Sequence, residues 1–289
     1  MVFLIIFCSV GAAVLAQYCN KKLTGTEPVE EILIKMFFGC AFLSWIMALF
    51  LFQFNFNFYA AAIGFIGFLA MWSFTGGIKI GLTQTILLVP ATSIVAVLLS
   101  SIFLAEWRFF DPRSLDGFLL LISSIGILGS TIFFATSRQQ ELTIRRQWVA
   151  LAVPYVLISG LVSFLIKYFA VQQMSPTSFL VSWYSGAFLG SLLPFLIKGK
   201  WGIKIARDKL FLYLFSILAT FVAMAASFWA LILAPAALVL PLHSFLFVAG
   251  TVLVALFVFH EGKSFGWWER AGFATGLLSS ILLLIGGYW

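Results

Sequence analysis

Ten apolar runs follow one another along this chain, each about as long as one bilayer crossing: 2–19, 31–52, 58–77, 82–104, 115–136, 149–171, 177–197, 210–232, 237–259 and 267–288. A transmembrane helix needs about 20 such residues. In lipid every backbone polar group must be satisfied internally, so only helices and closed barrels can span. The runs are continuous rather than alternating, which argues against barrel strands. The joints between them, such as Asn20-Lys21-Lys22 and the turn around Asp111-Pro112-Arg113, are too short to hold a soluble domain. Composition agrees. The chain is 63% hydrophobic and 9% charged, whereas a soluble domain is about 25% charged. The first run lacks the basic leader of a signal peptide and is read as part of the mature protein. The expected class is an all-α integral membrane protein.

The second constraint is repetition. Pro90 leads to Glu106 through an apolar run, and Pro241 leads to Glu261, the two glutamates lying 155 positions apart in a chain of 289 residues. Ser73-Phe74 stands before Pro90 as Ser227-Phe228 stands before Pro241. Ser93 and Ser244 each follow their proline by three positions, and Arg108 and Lys263 each follow their glutamate by two. Further pairs continue the series in order: Gln17-Tyr18 with Lys167-Tyr168, Glu27-Pro28 with Ser175-Pro176, and Ala41-Phe42-Leu43 with Ala187-Phe188-Leu189. Folding the chain onto itself gives five spans per half: 1–137, a basic linker 138–148, and 149–289. Five is odd, so the second half enters the membrane from the opposite side. Two inverted halves around a midplane site are the architecture of alternating-access transporters.

Lys and Arg counts set orientation. Alternate joints collect 12 basic residues on one side, from Lys21 and Lys22 to Lys263. The other side holds Arg108, Arg113 and Lys167. This bias predicts both termini outside and the long basic joints in the cytoplasm. It also accounts for the net charge of +7 without a nucleic-acid partner. Cys8, Cys19 and Cys40 have no metal-type spacing, so neither a metal nor a cofactor is expected.

The segments Leu88-Val89-Pro90 to Leu104-Ala105-Glu106, and Leu240-Pro241 to Phe259-His260-Glu261, each join a proline-bearing helix to a glutamate. The second is followed by Gly272, Gly276, Gly286 and Gly287. This pattern resembles the EamA-type drug/metabolite transporter superfamily. The resemblance covers nearly the whole chain. It implies ten helices in two five-helix repeats and a central cavity lined by spans 1, 3, 4, 6, 8 and 9. It also implies proton- or exchange-coupled movement, usually export, of small organic metabolites, here across a bacterial inner membrane. Two features depart from the pattern. The joint Gln53-Phe54-Asn55-Phe56-Asn57 carries no base where family members often do. The charge count also places outside the termini that the family usually keeps in the cytoplasm, which leaves the direction of transport open.

Polar groups inside spans are costly and point to function. Lys167 replaces the glutamine of the first copy and has two readings: a cavity cation for a carboxylate or phosphate, or a side chain that snorkels to the interface. His243 beside Pro241 aligns with Thr92. It is read either as a proton-coupling imidazole or as a packed histidine bonded to a carbonyl. The expected substrate-binding set is Gln17, Trp72, Ser73, Thr92, Ser93, Lys167, Tyr168, Trp229, His243 and Ser244, with Gln17, Thr92, Lys167 and His243 as its centre. Tyr18, Gln84, Ser163 and Ser227 are further polar positions on the same spans. Glu106 and Glu261 have two readings, gate or coupling carboxylates, or edge carboxylates paired with Arg108, Lys263 or helix N-termini, and the second is favoured because both end their helices. Glu31 and Lys35 stand in the favourable i, i+4 order for an ion pair, and His260 reads as structural.

Other classes fit less of the chain. A serine–histidine dyad of Ser185 with His243 would make an intramembrane enzyme, but Trp183 stands where such a motif wants glycine, and no enzyme is expected. A lipid or lipid-carrier flippase on the same scaffold is the main alternative to a metabolite carrier. Membrane lipids and a soluble metabolite are the expected partners. The glycines Gly126 to Gly129, and Gly272 to Gly276, permit close helix packing, either within one chain or in a homodimer.

Overall fold

Helices account for the regular structure, and no strand occurs among the described residues. The computed structural model describes residues 1–52, 55–80, 82–86, 88–107, 113–136, 142–198, 206–260 and 267–286. In chain order the helices are α1 (Val2–Thr24), α2 (Val29–Phe50), α3 (Phe58–Ile80), α4 (Leu82–Ile86), α5 (Val89–Phe103), α6 (Leu115–Thr136), α7 (Leu142–Val171), α8 (Pro176–Lys198), α9 (Leu210–Leu233), α10 (Ala236–Phe257) and α11 (Trp267–Gly286). A 3-10 turn at Arg207–Lys209 leads into α9. Among the described residues, seven helices are long and apolar enough to cross a membrane: α1, α2, α3, α8, α9, α10 and the Val149–Val171 part of α7. The chain is a multi-pass helical membrane protein. Its outer surface fits that solvent. Phe211, Leu214, Phe215 and Leu218 stand exposed along α9, an apolar patch that lipid tails tolerate and water does not.

Helix boundaries follow local chemistry. Pro28 precedes α2 with extended backbone. Pro176 opens α8, where its missing N–H is harmless, and Ser175 Oγ accepts from the Ser178 N–H at 3.2 Å as a cap. Lys21 and Lys22 in the last turn of α1, and Glu30 and Glu31 in the first turn of α2, suit the helix dipoles. Ala105 (φ 55°) and His260 (φ 52°) adopt the left-handed conformation immediately before the two aligned glutamates. That conformation costs a non-glycine residue about 1–2 kcal/mol, and it recurs at matching places.

Two joints differ from the sequence expectation. The fourth run, 82–104, is divided: α4 stops at Ile86 and α5 starts at Val89 with Pro90 in its first turn. The expected linker 138–148 is partly helical, since α7 begins at Leu142.

Packing runs across the two halves of the sequence. α1 lies against α9 and α10, α7 against α3 and α5, α8 against α2 and α3, α10 against α5, and α11 against α6. Small residues set the closest approaches. A Cβ at Gly64 would collide with the Trp183 carbonyl, and one at Gly186 with the Ala61 carbonyl, which draws α3 and α8 together. Gly126 faces Ser279, and Gly276 faces Phe245 and Ser130, so these glycines serve packing within the chain. Phe179 and Phe228 stack at 4.1 Å between ring centres, joining α8 to α9.

Candidate substrate and coupling site

Two of the predicted polar positions, Ser227 and His243, meet at the join of α1, α9 and α10 through a third residue, Ser9. Ser9 Oγ lies 2.9 Å from the Ala223 carbonyl, 2.7 Å from Ser227 Oγ and 3.1 Å from His243 Nε2. Ser227 Oγ is 3.5 Å from the same nitrogen. The His243 ring stacks against Phe247 from the next turn of α10. One step along α10, Ser244 bonds directly to Ser93 of α5, and Ser93 Oγ also approaches the Leu240 carbonyl at 3.4 Å. Residues that the sequence aligns as partners therefore touch where α5 crosses α10.

Lys167 sits at the junction of α9 and α10. Its ammonium donates to the Leu231 and Ala234 carbonyls at 2.8 Å each and lies 3.6 Å from Glu106 Oε1. Glu106 in turn accepts from the Ala236 and Ala237 N–H groups at 3.2 and 3.3 Å. The lysine thus covers the negative end of α9 and the glutamate the positive end of α10. Both side chains are buried, and each is compensated by the other.

A second buried charge cluster lies at the opposite end of α9. Lys35 Nζ is 2.6 Å from Glu27 Oε2 and 3.5 Å from Glu31. Lys209 reaches Glu27 Oε1 at 3.1 Å, and the Tyr213 hydroxyl donates to Glu27. Burial alone would raise the Glu27 carboxyl. Hydrogen bonds from Lys35, Tyr213 and Lys209 outweigh it and hold the group below its ordinary value. Tyr213 and Leu231 stand about 27 Å apart along α9 at 1.5 Å per residue, close to one hydrocarbon thickness. The two clusters therefore lie at opposite ends of α9, about one hydrocarbon thickness apart.

Between α3, α4 and α7 a narrow cleft is lined by Ser73, Gly77, Thr85, Leu88, Leu151 and Tyr155. It is too tight to admit a water molecule. Ligand pockets are typically about 300–1,000 Å³, so this cleft is a seam rather than a chamber.

The remaining expected residues scatter. Gln17 is buried on α1, and its Oε1 accepts no hydrogen bond. Thr92 turns back on its own helix and donates to the Val89 carbonyl at 2.7 Å. Trp72, Tyr168 and Trp229 are exposed. Gln17, Thr92, Lys167 and His243 share no hydrogen bond; each belongs to a different set. Ser185 Oγ accepts from Trp45 Nε1 at 3.0 Å, away from the His243 cluster. Glu31 and Lys35 do pair, as part of the larger Glu27 cluster. Among the described residues no His, Cys, Asp or Glu group could hold a metal. Glu261, Lys263, Arg108 and the side chain of Gln84 lie outside the described residues.

Sequence reasoning missed Ser9, and it used Glu27 only as an alignment marker. A signal for Ser9 was present. Ser159 lies 150 positions on, the same offset that relates Gln17 to Lys167.

No family model matches this chain, and no curated protein matches it. Solved structures do resemble it. One crystal structure superposes with a TM-score of 0.71 at 13% identity, over 97% of this chain and 98% of that one. At that identity the likeness speaks for the fold alone.

Proposed function

We propose that this chain is a secondary transporter that moves a small organic metabolite by alternating access between two inverted five-helix halves. The reading takes ten spans, counting α4 with α5 as one, and follows the resemblance to the EamA-type drug/metabolite transporters. The observation that carries it is the bond between Ser93 and Ser244. In an inverted repeat, only positions on the pseudo-two-fold axis can meet their own counterparts, and these two were paired by sequence. The packing scheme supports the same view. When first-half helices are exchanged for their second-half counterparts, α1 on α9 becomes α7 on α3, and α1 on α10 becomes α7 on α5. The pairs α2–α8, α5–α10 and α6–α11 map onto themselves.

In this reading the substrate path runs beside the α5–α10 crossing, with Ser73, Thr92, Ser93, His243 and Ser244 nearest it and His243 as the coupling group. Gln17, Trp72, Lys167, Tyr168 and Trp229 line its outer parts. Lys167 meets an anionic substrate only when Glu106 withdraws. The Glu27 cluster and the Lys167–Glu106 cluster each join the two halves, one at either face, and act as closures. The basic joints put the Glu27 cluster in the cytoplasm of a bacterial inner membrane, with both termini outside. The chain is a carrier and not an enzyme.

A thermal-shift screen of purified protein tests this reading. The panel holds amino acids, nucleosides, nucleotide sugars, polyamines, sulfonium metabolites and lipid phosphates. A ligand at 100 times its Kd adds about 2.7 kcal/mol of stability. Selective stabilisation by a soluble metabolite is the expected result. A shift from lipid phosphates alone would favour a flippase instead. With the ligand in hand, His243→Gln should abolish the pH dependence of its transport; an unchanged pH profile would remove the coupling role.

A further inference from the structure

The hydrogen-bond geometry around Ser9 fixes where the proton of His243 sits. A serine hydroxyl has one proton to give and two positions at which to accept. The Ala223 carbonyl can only accept, and it lies 2.9 Å from Ser9 Oγ, so Ser9 spends its proton there. Ser227, at 2.7 Å, must then donate to Ser9. His243 Nε2, at 3.1 Å, faces an oxygen with no proton left and must donate as well. We infer that Ser9 holds His243 as the Nε2–H tautomer and leaves Nδ1 as the lone pair on which an incoming proton lands.

Several observations fit together around this assignment. Ser9 is fully buried in α1, and its position is locked by three partners from α9 and α10. His243 Nδ1 has no hydrogen-bond partner among the described residues, while the ring is only partly buried. The neighbours that face the imidazole are Ser9 from α1, Ser227 from α9 and Phe247 from α10 itself, all uncharged. No described charged side chain on α1, α4, α5, α6, α9 or α11 bonds to it. Lys21 and Lys22 lie at the far end of α1, Tyr213 lies in the Glu27 cluster, and Lys167 is committed to Glu106. A proton gained at Nδ1 therefore makes an uncompensated cation between the halves, while the Nε2–H to Ser9 bond survives. Ser9 is a positioning residue: it orients the ring and selects the accepting nitrogen. The assignment rests on the coupling reading for its functional consequence only.

The chain has two histidines, His243 and His260, so His260→Gln leaves one to observe. Ring-¹⁵N-labelled His260→Gln protein in detergent micelles, studied by NMR at neutral pH, should show a protonated Nε2 and a bare Nδ1. A bare Nε2, a mixture of tautomers, or an imidazolium at neutral pH would each overturn the assignment. Ser227→Ala in the same background should keep the tautomer, because it removes a second donor to Ser9 and not the acceptor for Nε2. Ser9→Ala should lose it and give a mixture; retention of a single Nε2–H form would show that Ser9 does not select it. If Ser9→Ala does not fold, the spectrum of the His260→Gln parent decides alone. The spectrum does not depend on transport. A failed tautomer leaves the carrier reading standing, and a failed carrier reading leaves the tautomer standing.

Discussion

The proline-bearing runs at Pro90 and Pro241 occupy matching places in the sequence but fold differently. At Pro90 the run breaks into α4 and α5, with the proline in the first turn of α5, where no intrahelical donor is lost. At Pro241 the run stays whole and α10 carries the proline inside, so the Ala237 carbonyl loses its usual partner. The surroundings differ in step. Beside α10, Ser227 and His243 close on Ser9. At the aligned positions of the first half, Ser73 lines the narrow seam between α3, α4 and α7, and Thr92 bonds to its own backbone. Packed helices lie 8–10 Å apart. An imidazole reaches across that gap and a threonine does not. One histidine in place of threonine therefore ties α10 to α1, whereas Thr92 bonds only within its own helix.

The charged ends show a second inequality. Lys167 covers the end of α9 and pairs with Glu106. Its counterpart Gln17 has an unmet oxygen, and Lys21, one turn further along α1, reaches the Ile78 carbonyl near the end of α3 at 3.1 Å. Lys167→Met should therefore cost about 3–5 kcal/mol, because it strands a buried Glu106, and Glu106→Gln on top of it should recover part of the loss. Gln17→Met should change stability by less than about 1 kcal/mol, having no bond at Oε1 to lose. Thermal unfolding in detergent measures both, and equal losses would erase the distinction.

Glu27 and Ser175, aligned before α2 and α8, sharpen the contrast through pH. Glu27→Gln should cost about 2 kcal/mol at pH 7. Because the folded carboxyl is held below its ordinary value, the advantage of the native residue is complete above the unfolded value of about 4.3. It fades as pH falls through the lower folded value. Ser175→Ala removes a cap worth about 1 kcal/mol, and its cost should not vary with pH. A pH-independent Glu27→Gln would mean that the cluster adds no electrostatic stability. The smallest effects concern the prolines themselves. Pro241→Ala restores a helix bond and should raise stability by about 1 kcal/mol, whereas Pro90→Ala should change it by less than about 0.5 kcal/mol. The reverse order would mean that the break at α4–α5, not the kink in α10, is the strained element.

The helical membrane class was legible because run length and apolarity decide it almost alone. The break in the fourth run was not, because Leu82 to Pro90 stays apolar enough to read as continuous helix. The meeting of Ser93 with Ser244 could be anticipated from their matching distances to a proline. The partners of His243 could not be read from its own neighbourhood, since Ser9 stands 234 positions away in the apolar first turns of α1. Glu27 was hidden for the same reason: its partners Lys209 and Tyr213 come from the far-off start of α9. Long-range polar contacts in a helical bundle leave no local periodicity. Only the internal offset between halves carries a trace of them.

The most direct test of the account is counterflow in proteoliposomes, using whichever soluble ligand stabilises the purified protein. Vesicles preloaded with unlabelled ligand should take up labelled ligand faster than empty ones, with saturation, as a carrier that exposes one site to each face in turn requires. Uptake that is linear in concentration and indifferent to preloading would contradict alternating access between the two halves.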